Sequence, residues 1–113
     1  MDRTAEYQRI IKQVLGEIAG YSNGSGPEGV DHVAAFDDEH GQYLLMSIGW
    51  RGTKRVHSLP VYVRLKNGQV WIEDDWTDLI LADRLIAAGI SPDDIVLGFP
   101  PPPKRQASGL AVA

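Results

Sequence analysis

The chain contains no cysteine. Disulfides, thiolate metal sites and cysteine nucleophiles are excluded together, and nothing points to an oxidising compartment. Long apolar runs are also missing: none approaches the ~20 residues a membrane-spanning helix needs. The N-terminal MDRTAEYQRIIKQ has no uninterrupted apolar core, so it does not read as a signal peptide, and the expected location is cytoplasmic, away from membranes. There is no Gly-Lys-Ser/Thr ending in the glycine-rich GYSNGSGPEGVD segment, which therefore reads as a loop rather than a phosphate cradle. No serine sits in a nucleophile-elbow context. An excess of positive charge is absent too: the formal net charge is −4. Because duplex binding depends on neutralising phosphates, an acidic chain is a poor general DNA binder, and any DNA contact is expected to be local and weak. One further gap is regional. No acid occurs between Gly41 and Ile72, whereas carboxylates crowd the residues just after.

What remains is ordinary globular material. The 113 residues are 43% hydrophobic and 23% charged, which reads as one folded domain over 1–113 rather than a disordered chain. Tyr7, Ile10, Ile11, Val14, Leu15 and Ile18 recur at helical spacing, predicting an amphipathic helix over 3–19 with Thr4 at its start and Gly20 as its stop. A loop over 20–31 should follow, then a short strand over 32–36. The acidic Asp37-Asp38-Glu39-His40-Gly41 is its turn, since it lacks the length and spaced ligands of a calcium loop. A second strand, 42–50, puts Leu44, Met46, Ile48 and Trp50 on one face and Tyr43, Leu45 and Ser47 on the other. Arg51-Gly52-Thr53 turns into a third strand, 54–66, where alternation places His57 with Leu59, Val61, Val63 and Leu65. Pro60 marks an edge or a bulge there. Asn67-Gly68 predicts a type I′ hairpin into a fourth strand, 69–74. Thr77 can cap a second helix to Ala88, stopped by Gly89 with Ile90 packing back. Ser91-Pro92-Asp93-Asp94 allows one further turn. Four consecutive prolines, 100–103, then force an extended end. The expected fold class is α+β: an N-terminal helix, a four-stranded antiparallel meander, a second helix and an extended C-terminal segment.

The strings YLLMSIGW, RVH, NGQVWIEDDWTD, AAGISPDDIVLGF, KRQ and the final AVA resemble, in order and spacing, the XisI-type fdxN-element excision controlling factors of cyanobacteria. The resemblance runs from the first helix to the last residue. It implies an accessory factor that acts beside an XisH-type partner for a site-specific recombinase, excising a DNA element during heterocyst differentiation. It implies no cofactor, no metal and no catalytic residues. Trp76 departs from the pattern, standing where the family has a small residue.

Three constellations carry candidate chemistry. Glu73, Asp74, Asp75 and Asp78 could hold a hard cation or serve as acid and base. Alternation sets Asp74 opposite Glu73 and Asp75, which favours a solvated turn beside a helix N-terminus. His57 is the histidine best placed to be buried, and with those carboxylates it defines an enzymatic alternative. The third is a basic and aromatic surface: Trp50, Arg51, Lys54 and Arg55 at one hairpin tip, with Tyr62, Arg64, Trp71 and Trp76 further along. Basic tips beside aromatics meet phosphate or acidic partners, and exposed aromatics anchor protein interfaces. The leading expectation, as the resemblance implies, is a non-enzymatic accessory protein that works by binding another protein, of XisH type; the same surface could also serve self-association. Direct DNA contact through Arg51–Arg55 is the alternative.

Overall fold

The structure, a computed structural model, describes residues 3–25, 29–75 and 81–98, with only the backbone for 21–25. Its elements are helix α1 (Thr4–Ser25), strands β1 (Val30–Asp37), β2 (Gln42–Arg51), β3 (Lys54–Lys66) and β4 (Gln69–Asp75), helix α2 (Leu81–Ala88), a single 3-10 turn (Pro92–Asp94) and strand β5 (Ile95–Leu97). The sheet order is β1-β2-β3-β4-β5, antiparallel through β4, with β5 parallel to β4. The α+β class and the meander are as expected. The strand count is not.

The fifth strand corrects the four-stranded expectation. Ile95-Val96-Leu97 is too short to show a period, and its parallel pairing requires the crossover through α2. Its partners Val70, Trp71 and Ile72 lie more than twenty residues upstream. Helix α1 also runs past its expected stop: Gly20 is helical and is not among the positive-φ glycines. One interior glycine costs a helix only about 1 kcal/mol, so it ends a helix only where the chain must turn left-handed. The expected loop over 20–31 shrinks accordingly, and β1 begins at Val30.

Gly89 does meet that requirement. At φ +123° its N–H donates to Ile86 O (3.1 Å), while Ile90 N–H reaches back to Leu85 O (3.0 Å) in a Schellman ending. Ile90, 1% exposed, packs into the core as the sequence predicted. Ser91 Oγ accepts from Asp93 N–H at 3.3 Å to start the 3-10 turn. Asn67 (φ 55°) and Gly68 (φ 76°) form the left-handed hairpin expected of Asn-Gly. The proposed cap Thr77 lies outside the described residues.

One face of the sheet, the inner face, carries the core. Tyr7, Ile10, Ile11, Val14, Leu15 and Ile18 of α1 and Leu81 and Leu85 of α2 join Tyr43, Leu45, Val61, Val63, Val70, Ile72 and Ile95 in one buried cluster. Tyr7 ties this layer together. Its hydroxyl donates to Asp94 Oδ2 (2.5 Å) and accepts from Ser91 N–H (3.4 Å), linking α1 to the turn before β5.

Two irregularities set which side chains face where. Leu45 pairs with Val61 but Ser47 pairs with Ser58, so β3 holds one extra residue at Leu59-Pro60 opposite Met46. Proline cannot donate to a ladder, and a bulge accommodates it inside the sheet. The extra residue inverts the alternation upstream. His57 therefore pairs with Ile48 on the outer face and is exposed, rather than joining Val61 in the core. Leu59 moves with it and is 38% exposed. The second shift lies in β4, where Val63 pairs with Ile72 and Tyr62 with Asp74, leaving Glu73 as the additional residue.

Candidate functional site

The outer face is assembled from alternate residues of β1, β2 and β3. Val33 pairs with Met46, and Ala35 with Leu44 and then Tyr62, so apolar side chains run in rows across three strands. Leu44, Met46, Ile48 and Tyr62 are half-buried, while Trp50 is 53% exposed and Val33 43%. Both helices lie on the other side of the sheet. Large apolar groups gathered on one open face mark a contact surface more than scattered ones do.

Charge frames this face. At the β2–β3 tip, Arg51, Lys54 and Arg55 are all exposed. The Arg55 guanidinium carbon sits 5.2 Å from the Trp50 ring centroid, and its Nη1 donates to Gly49 O at 3.4 Å. A cation held over an indole face keeps both groups presented outward. At the other end of β3, Lys66 Nζ lies 5.3 Å from the Trp71 ring centroid. Arg64 Nη1 bonds Glu73 Oε2 at 3.2 Å, and the Tyr62 hydroxyl donates to Gln42 Oε1 at 3.3 Å.

Seven of the eight residues proposed from the sequence can thus be placed, and Trp76 lies outside the described residues. They form two groups. Trp50, Arg51, Lys54 and Arg55 gather at the hairpin tip, whereas Tyr62, Arg64 and Trp71 share the outer face at the other end of β3. At a strand rise of about 3.3 Å per residue, Arg55 and Arg64 are about 30 Å apart. Reading the sequence missed Val33 and Leu59, which complete the apolar centre between the groups. Pro60 was the signal for Leu59, since a bulge there moves that side chain outward.

The carboxylates after β4 do not converge. Glu73 reaches Arg64 on the outer face, which corrects its expected place beside Asp75. Asp75 pairs with Val61 on the inner side, and its Oδ2 accepts from Leu81 N–H (3.2 Å) at the start of the described part of α2. Asp78 lies outside the described residues. His57 is about 15 Å along β3 from the strand position facing Asp74, so no acid–base pair forms between them.

The β1–β2 turn is the acidic counterpart of the basic tip. Asp37, Glu39 and His40 place ligand atoms within 4.8 Å of one another, all exposed. Asp37 Oδ2 and His40 Nδ1 are 2.7 Å apart, and this hydrogen bond holds the Asp37 carboxyl below its ordinary value. Lys12 Nζ bonds Asp38 Oδ2 at 2.7 Å and, with the Tyr43 hydroxyl at 2.9 Å, depresses Asp38 likewise. Burial and that same bond push the Tyr43 phenol well above its ordinary value. These contacts bind the turn to α1 and β2. On the inner face, buried Ser47 shares a 2.9 Å hydrogen bond with His32 Nδ1, which satisfies the one buried polar side chain among the described residues.

With this geometry in place, comparison with known proteins decides the family. The family described as XisI protein matches residues 1–112. The chain belongs to the XisI family. It is similar to the crystal structure of a XisI-like protein from Anabaena variabilis ATCC 29413, with 31% identity and a TM-score of 0.88 over 97% of this chain and 99% of that one. It is likewise similar to the fdxN element excision controlling factor XisI of the same organism, with 34% identity and a TM-score of 0.84 over 99% and 100% of the two chains. No match was found among curated proteins. Within the described residues of this XisI family member, no helix is long and apolar enough to cross a membrane.

Proposed function

We propose that this XisI family member is a non-enzymatic accessory factor controlling excision of a DNA element by site-specific recombination. It acts by binding a second protein, of XisH type, through the outer face of its sheet. The observation that carries this reading is the open face itself: Trp50, Val33 and Leu59 stand exposed around half-buried Met46 and Ile48, with Arg55 held against Trp50. Membership of the XisI family, and likeness to a protein described as an excision controlling factor, support the biological role. Aromatic and arginine anchors over an apolar centre are what protein interfaces concentrate.

Co-expression with an XisH-type protein followed by size-exclusion chromatography tests it. The two should co-elute, and Trp50→Ala combined with Arg55→Glu should abolish co-elution while the far-ultraviolet circular dichroism stays unchanged. Separate elution of the two unaltered proteins would defeat the partner reading. The exposed cluster of Arg51, Lys54 and Arg55 favours a second reading, direct contact with DNA phosphates. That reading requires duplex binding that falls steeply with added salt, and absence of binding at low salt removes it.

A further inference from the structure

The two edges of the sheet are built differently. At one end β5 is three residues long, and a short edge offers little to pair with. At the other end β1 is eight residues long and pairs with β2 in one unbroken register, from Val30 opposite Gly49 to Asp37 opposite Gln42. Its sequence, VDHVAAFD, has no proline, lysine or arginine, and its pairing with β2 has no bulge, so among the described residues only the charges of Asp31 and Asp37 blunt this edge. Val33 is 43% and Phe36 39% exposed along it. Among the described residues no strand lies beyond β1.

Charge is distributed unevenly along this edge. Asp37 and Glu39 sit at its C-terminal end, while at its N-terminal end the single acid Asp31 lies near Arg51 and Lys54, where Gly29 O accepts from Trp50 N–H at 2.9 Å. An antiparallel partner reverses the order. With the axis through Val33, so that paired residues keep to the same face, Val30 of one copy faces Phe36 of the other and Gly29 faces Asp37. Each acidic turn then lies about two strand spacings, roughly 10 Å, from the other copy's basic tip, within the reach of long side chains. A two-fold axis makes this match twice, which an isologous interface requires.

We propose that β1 pairs antiparallel with β1 of a second copy of this chain, joining two sheets edge to edge with their outer faces side by side. This does not depend on the excision partner, because it concerns the chain alone. It leaves the outer face open and duplicates it.

Sedimentation velocity on the full chain, with charge-reversed variants, tests the pairing. The unaltered chain should sediment at twice the 12.4 kDa of one copy. Arg51→Glu/Lys54→Glu and Asp37→Lys/Glu39→Lys should each self-associate about tenfold more weakly or worse, because each sets like charges together. Mixing the two variants should restore a dimer, since acid then meets base at both ends; circular dichroism verifies that each is folded. Hydrogen exchange should show the amides of 30–37 gaining protection as concentration rises. A chain that stays monomeric, a dimer that neither reversal weakens, or protection gained elsewhere with β1 unchanged would overturn the proposal.

Discussion

The inner and outer faces of this sheet use much the same residue types and end in different circumstances. Tyr43, Leu45, Val61, Val63, Val70 and Ile72 look inward and are at most 4% exposed beneath the helices. Leu44, Met46, Ile48 and Trp50 alternate with some of them on β2, yet grade from half-buried to open. Hydrophobicity of a strand residue thus says little about its use. What separates the faces is whether a helix stripe comes to lie on them, and α1 and α2 both lie on the inner side. The core face stabilises the chain, while no described helix covers the outer face.

That contrast can be broken at its strongest point. Leu85→Ala removes a side chain that is 0% exposed and should cost about 2–5 kcal/mol in urea unfolding, with the cavity adding to the transfer loss. The same truncation at Leu59, on the outer face, should cost no more than about 1 kcal/mol. Equal losses at the two positions would mean that the outer face is covered in solution.

The next effect belongs to the tie between α1 and the turn before β5. Tyr7→Phe deletes a hydroxyl bonded to Asp94 and Ser91 and should destabilise by about 1–3 kcal/mol, since it leaves part-buried polar groups unpaired. Smaller still is Trp50→Ala, expected to shift stability by no more than about 0.5 kcal/mol. Its effect should appear instead in binding to an XisH-type protein, measured by calorimetry. A large loss of stability with binding intact would reverse the roles assigned to the faces.

The smallest effect is electrostatic. Asp37 and Asp38 both titrate below the ordinary 3.8 in the folded chain, through His40 and Lys12 respectively. Their contribution is fully present above that ordinary value and is lost as pH falls through the lowered folded values. Because the turn is exposed, the contribution is small. Lys12→Met should narrow the difference in urea midpoint between neutral pH and pH below about 3, since Asp38 loses its main depressing partner. An unchanged difference would show that the Lys12–Asp38 pair does nothing in solution.

Much of this was legible beforehand because it is local. The α1 stripe, the Asn-Gly turn, the span 54–66 of β3 and the Gly89 ending each depend on residues within a few positions. The candidate surface was legible in part: Trp50 with Arg55 follows from the hairpin, whereas Lys66 over the Trp71 ring was not read from the chain. His57 was misplaced because alternation was carried straight through Pro60. Proline announces that a ladder must yield, but not which neighbour becomes the extra residue, since that depends on the register with β2. Glu73 was misplaced for the same reason across β4.

The sequence by itself determined the helices, the order of the meander, its turns and the family, because periodicity, turn chemistry and distinctive strings are all written along the chain. Only the tertiary structure decided that Ile95–Leu97 becomes a fifth strand, that His57 faces outward, and that both described helices lie on one face of β2. Those outcomes rest on pairing between segments far apart in sequence. A one-residue slip in such pairing exchanges the two faces of a strand, and no local pattern records it.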